Sequence, residues 1–144
     1  MVTWDRLNRR FPMQQPAKRR VRDGIIVVCI DTSGSVDDQL LSRFLGEISA
    51  LTQVGGLTTY LISCDAKVHQ VIEPGEPIPD KWLGGGGTDF RPAIEKAEML
   101  SPDAVVYLTD GEGTYPAKCD IPLLWAFSTR RAVSPLGESL YLGE

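Results

Sequence analysis

One histidine, His69, occurs in 144 residues, beside three cysteines, Cys29, Cys64 and Cys119. Without a second histidine, a CxxC or an HExxH, the ordinary zinc centres are excluded. No serine or cysteine has a histidine partner in a recognisable nucleophile motif either. An odd, widely spaced set of cysteines makes a poor disulfide framework, so the three are expected as reduced thiols of a cytoplasmic protein. Cys29 and Cys64 lie in apolar runs and read as small core residues. No stretch reaches the ~20 apolar residues of a membrane span. The N-terminal MVTWDRLNRRF lacks the apolar segment of a signal peptide.

Charge is unevenly placed. Residues 1–22 hold seven basic groups and one acid, whereas the remainder holds eight basic and eighteen acidic groups. This arm also carries Pro12 and Pro16, with Trp4 and Phe11 as isolated apolar anchors. It is expected to be extended and to lie along the acidic body of its own domain, residues 23–144. Aromatics are not interleaved with its basic groups, which argues against nucleic acid as the partner.

The body alternates strand and helix patterns. GIIVVCI (24–30) is continuously apolar and β-branched, as in a strand buried on both faces. Leu40, Leu41, Phe44, Leu45, Ile48 and Leu51 recur at helical spacing after Asp37 and Asp38, and Gly55-Gly56 is the expected stop. LTTYLISCD (57–65) predicts a second strand, and the short step to KVHQVIE (67–73) predicts a hairpin with His69 exposed on it. DFRPAIEKAEML (89–100) predicts a second helix with Asp89 as N-cap and Pro92 in the first turn. AVVYLT and IPLLWAFS (121–128) complete the buried strands, and PLGESLYLG suits a short edge strand. The expected fold is α/β and doubly wound, a mostly parallel sheet with one antiparallel hairpin strand at its edge. In such sheets ligands bind beyond the carboxyl ends of the strands.

Three loops meet that description. Asp31, Ser33 and Ser35 follow the first strand, Thr88 follows the four glycines Gly84–Gly87, and Asp110 follows AVVYLT. DTSGS alone could be no more than a turn and a helix cap. The five side chains together offer oxygen and neither nitrogen nor sulfur, which suits a hard cation, Mg²⁺ above all or Mn²⁺. Only two of the five are charged, which leaves such an ion Lewis-acidic toward an incoming ligand. Glu112 reads as a solvated loop acid.

DTSGS…GGT…TDG resembles the metal-ion-dependent adhesion site of von Willebrand factor A (VWA) domains, across residues ~24–128. The resemblance implies a shortened Rossmann-like VWA fold. It implies that Asp31, Ser33, Ser35, Thr88 and Asp110 hold Mg²⁺, the hydroxyls directly and the aspartates often through water, with an open position for a partner's carboxylate. DTSGSV, GGGGTDFRPA, YLTDG and the PLGESLYL ending look most similar to bacterial VWA-like proteins fused to a metallopeptidase-like domain. Relatives of that kind often work with MoxR-type AAA+ ATPases. The segment from Asp110 to Ile121 is too short and broken for a full helix, so a peripheral helix is expected to be missing there, and another before the last strand. The expected function is a metal-dependent protein-binding module for a partner with an exposed acid. Its alternatives are an accessory domain of a metallopeptidase-like protein, or a Mg²⁺-dependent hydrolase using Asp89 or Glu112 as base.

Overall fold

The structure, a computed structural model, describes residues 24–142 except Asp80. The basic arm expected over residues 1–22 lies outside the described residues.

The first strand, β1 (Gly24–Asp31), is buried along nearly its whole length because its residues face packed layers on both sides. Helix α1 (Asp38–Thr52) starts where Asp37 caps it, the carboxylate accepting the Leu40 N–H at 2.8 Å. Its buried stripe is Phe44, Ile48 and Leu51. The helix stops before the expected glycines. Gln53 and Val54 donate to the Ala50 and Leu51 carbonyls, which tightens the last turn into i→i+3 bonds. Gly56, with φ +85°, turns the chain into β2 (Leu57–Cys64) instead.

β3 (Val68–Ile72) returns antiparallel along β2, with a register irregularity at Ser63/Cys64. Helix α2 (Arg91–Met99) and β4 (Ala104–Thr109) follow. β5 (Leu123–Phe127) and β6 (Glu138–Tyr141) pair parallel. The sheet order is β3-β2-β1-β4-β5-β6, and β3 alone runs antiparallel among these strands. Strand order reverses at β1, so the switch point lies between the ends of β1 and β4.

Alternation along the strands divides the core in two. Ile26, Val28 and Ile30 pack with α1 on one face, and Val27 and Cys29 pack with α2 on the other. The chain passes from β4 to β5, and from β5 to β6, without a helix. Aromatic side chains help fill the α2 face: Phe90, Tyr107, Tyr115 and Trp125 stack edge-on or face-on with ring centroids 4.8–5.0 Å apart. The Tyr115 hydroxyl pins this cover to the loop after β4 by donating to the Gly111 carbonyl at 2.7 Å.

Besides the end of α1, two details differ from expectation. Regular helix α2 begins at Arg91, with Phe90 at its boundary. The N-cap is therefore Phe90, without a side-chain cap bond, and not Asp89 as expected; Asp89 lies one residue earlier and accepts the Arg91 N–H at 3.0 Å. His69 is mostly buried, its side chain 13% exposed, because its ring turns toward Asp65.

Candidate metal centre at the carboxyl ends of the strands

Asp31 is the last residue of β1 and is 1% exposed. One carboxylate oxygen accepts the Ser33 N–H at 2.9 Å, and the other accepts the Thr109 hydroxyl at 2.6 Å. Burial raises its pKa, the charge of Asp110 adds to that rise, and the bonds from Ser33 and Thr109 oppose it. Among the described residues it accepts from the Ser33 amide and the Thr109 hydroxyl, the Ser33 hydroxyl also favours its charged form, and none of these partners is basic.

The Ser33 and Ser35 hydroxyls stand 3.3 Å apart, the first buried and the second exposed. Gly34 between them lets the glycine loop come close. Its N–H donates to the Gly86 carbonyl at 3.0 Å, and a Cβ there would meet Gly85 Oxygen at 3.0 Å. Thr32 stitches the same two loops. Its carbonyl accepts the Gly85 N–H at 2.8 Å and its hydroxyl donates to the Leu83 carbonyl at 2.8 Å. At Gly84 any side chain would collide with Thr32.

Thr88 is half-buried at the end of this loop, with its methyl against Gly113. Asp110 is half-buried, and one of its oxygens accepts the Glu112 N–H at 3.0 Å. Phe90 N–H donates to the Thr114 carbonyl at 2.9 Å, which ties the glycine loop to the loop after β4. The structure therefore brings the three predicted loops together at the switch point. It joins Asp31, Ser33 and Ser35 directly, sets Asp110 within electrostatic reach of Asp31, and holds Thr88 on a loop bonded to both neighbours.

Asp89 and Glu112 differ in availability. Asp89 forms a two-pronged pair with the Arg91 guanidinium at 2.9 and 2.8 Å, which lowers its pKa against the opposing effect of burial. Glu112 is exposed.

Two residues of the site were not anticipated. Thr109 orients Asp31, and its signal was its place one residue before Asp110 at a strand end. Asp65 follows β2 and binds the glycine loop through Gly86 N–H at 3.1 Å. Its signal was that β1, β2 and β4, three adjacent strands, each end in or next to an aspartate.

The donor chemistry fits a hard divalent cation. Among the described residues no three His, Cys, Asp or Glu side chains cluster as a metal site, so an ion here would have to use hydroxyls beside Asp31 and Asp110. Among the described residues the buried Asp31 carboxylate has no cationic hydrogen-bond partner, and a bound cation would supply one.

A sequence model of the VWA-like domain (DUF2201) matches residues 26–143. The chain belongs to this VWA-like family. Members of the wider VWA-like class generally act as protein-interaction modules. An uncharacterized protein of Thermotoga maritima is 31% identical, the match covering 77% of this chain and 28% of that protein. The chain therefore spans little more than a quarter of that relative. Two solved structures share the VWA-like fold. An aerotolerance-related membrane protein of Bacteroides fragilis superposes with TM-score 0.59 at 17% identity, over 72% of this chain and 66% of that one. VWA2, the ArnB paralog of Sulfolobus acidocaldarius, gives 0.57 at 21% identity, over 75% and 35%. Among the described residues of this VWA-like domain, no helix is long and apolar enough to cross a membrane.

Proposed function

We propose that this VWA-like domain is a metal-dependent protein-binding module in which Asp31, Ser33, Ser35, Thr88 and Asp110 hold Mg²⁺ or Mn²⁺. The observation that carries the reading is Asp31: a buried carboxylate at the switch point, bonded to an amide and a hydroxyl and facing more hydroxyls. When bound, the ion supplies Lewis acidity toward a carboxylate oxygen of the partner. The chain's own residues do the rest. Thr109 and the Ser33 amide aim Asp31. Ser33 and Ser35 present paired hydroxyls, and the exposed Gly84–Gly87 loop leaves room for another chain to approach. An AAA+ ATPase of the MoxR type is the partner class that the family resemblance suggests.

Hydrolysis is the weaker reading, because of its two candidate bases Asp89 is held by Arg91 and Glu112 is exposed. The accessory-domain reading has one observation of its own. The Thermotoga maritima relative is much longer than the matched region, so a domain of this kind occurs beside other chain in the same polypeptide.

Calorimetric titration with Mg²⁺ tests the site, followed by pull-down of candidate partners with and without EDTA. Binding is expected in the wild type, lost in Asp31→Ala, with partner capture lost in Thr88→Ala and in EDTA. Equal Mg²⁺ binding by wild type and Asp31→Ala, or partner capture that ignores both Thr88→Ala and EDTA, would refute the reading.

A further inference from the structure

The carboxylate of Asp65 has no role in the metal set, yet it is among the most buried charges in the described chain, at 6% exposure. Its Oδ2 accepts the Gly86 N–H at 3.1 Å, and its Oδ1 accepts the Lys67 N–H at 3.1 Å. His69 Nε2 stands 2.9 Å from the same Oδ1, close in distance although its N–H is poorly directed for a hydrogen bond. The Asp65 backbone takes part as well. Its N–H donates to the Lys67 carbonyl at 3.0 Å, and its carbonyl accepts the Asp89 N–H at 3.3 Å. One residue therefore grips the glycine loop at Gly86 and again at Asp89, on either side of Thr88. The grip extends further, because the Gly86 carbonyl accepts the Gly34 N–H between Ser33 and Ser35.

We infer that Asp65 is a positioning residue, fixing residues 86–89 from the β2–β3 hairpin and thereby setting Thr88 against the Asp31–Ser35 loop. It forms no hydrogen bond to the five metal candidates and acts through the Gly86 and Asp89 amides. The fit is tight: a Cβ on Gly86 would stand 2.9 Å from Asp65 Oδ2. Burial alone would raise the Asp65 pKa, but the close His69 ring and the bonds from the Lys67 and Gly86 amides bring it below the ordinary carboxylate value, so the side chain is held as an acceptor. The part of this inference that concerns metal affinity rests on the proposed function, whereas the hold on the loop does not.

The experiment uses the whole chain and compares Asp65→Ala, Asp65→Asn and Gly86→Ala with wild type. Amide exchange by NMR is measured without metal, and Mg²⁺ affinity by calorimetry at a temperature where all four are folded. In Asp65→Ala, protection of the Gly86 and Gly34 amides should fall about tenfold or more while Val28 in β1 stays protected. Mg²⁺ affinity should weaken about tenfold, the scale of losses when a group supporting a metal ligand is removed. Asp65→Asn keeps an acceptor for Gly86 and should retain most of both. Gly86→Ala should mimic Asp65→Ala, and the double variant should be no worse than either single one. Unchanged protection at Gly34 and Gly86 in Asp65→Ala overturns the inference, as does loss of protection that includes Val28 in equal measure. If wild type takes up no Mg²⁺, the proposed function fails, and the exchange data still decide whether Asp65 holds the loop.

Discussion

Asp31 sets a conflict that a single atom change can resolve. Its burial disfavours the charged form, so the stability it gives the metal-free fold is fully present below the ordinary carboxylate range and is lost as pH rises through its raised pKa. Asp31→Asn keeps the shape and lets the Thr109 hydroxyl turn to accept from the new amide. In EDTA, this variant should melt higher than wild type at pH 7, and the gain should vanish near pH 3. A gain of 1 kcal/mol would raise Tm by about 3 °C in a chain of this length. Thermal melts at the two pH values check it, and a lower Tm at pH 7 would mean that the charge is already compensated. Asp65 has the opposite sign. Its pKa is lowered, so its contribution is present above the ordinary range and is lost as pH falls through the folded value.

The elements divide into those whose signals are local and those whose signals are not. β1 and α1 were legible because burial on two faces writes a continuous apolar run, and burial on one helical face writes a three-four spacing. The cap at Asp37 is equally local, and Asp37→Ala should cost about 1 kcal/mol, read as a drop in the denaturant midpoint at constant slope. The end of α1 was misplaced because the chain closes it with its own i→i+3 bonds before reaching a glycine. The parallel pairing of β6 could not be read either, since its four residues carry no directional pattern and their order against β5 is set by packing. Two of the three candidate loops were legible as oxygen-bearing strand ends, and the third as a glycine run leading into a helix. Asp65 and Thr109 were not, because each acts on a group distant in sequence, 21 residues away at Gly86 and 78 at Asp31. The segment between β4 and β5 shows how a missing helix is covered. Tyr115→Ala should cost about 2 kcal/mol through lost ring packing, and Tyr115→Phe about 1 kcal/mol through the lost bond to Gly111. Chemical denaturation of the two variants would separate ring from hydroxyl.

At the scale of the molecule, a bound ion should act on the whole fold. With Mg²⁺ at about a hundred times its dissociation constant, mass action adds about 2.7 kcal/mol, and Thr88→Ala should lose most of that increment while keeping the metal-free Tm within a few degrees. The order β3-β2-β1-β4-β5-β6 places Asp31 and Thr109 on neighbouring strands, although 78 residues of chain separate them. The halves of the site thus meet when β1 and β4 pair, a non-local step of the kind that slows folding. A chain still short of that step has no assembled site to offer an ion. Mg²⁺ should then act as a brake on the way out of the native state and not as a guide on the way in. Stopped-flow chevrons should show an unfolding limb slowed by Mg²⁺ and a refolding limb that does not move. Refolding accelerated by Mg²⁺ would mean that β1 and β4 have already met at the barrier.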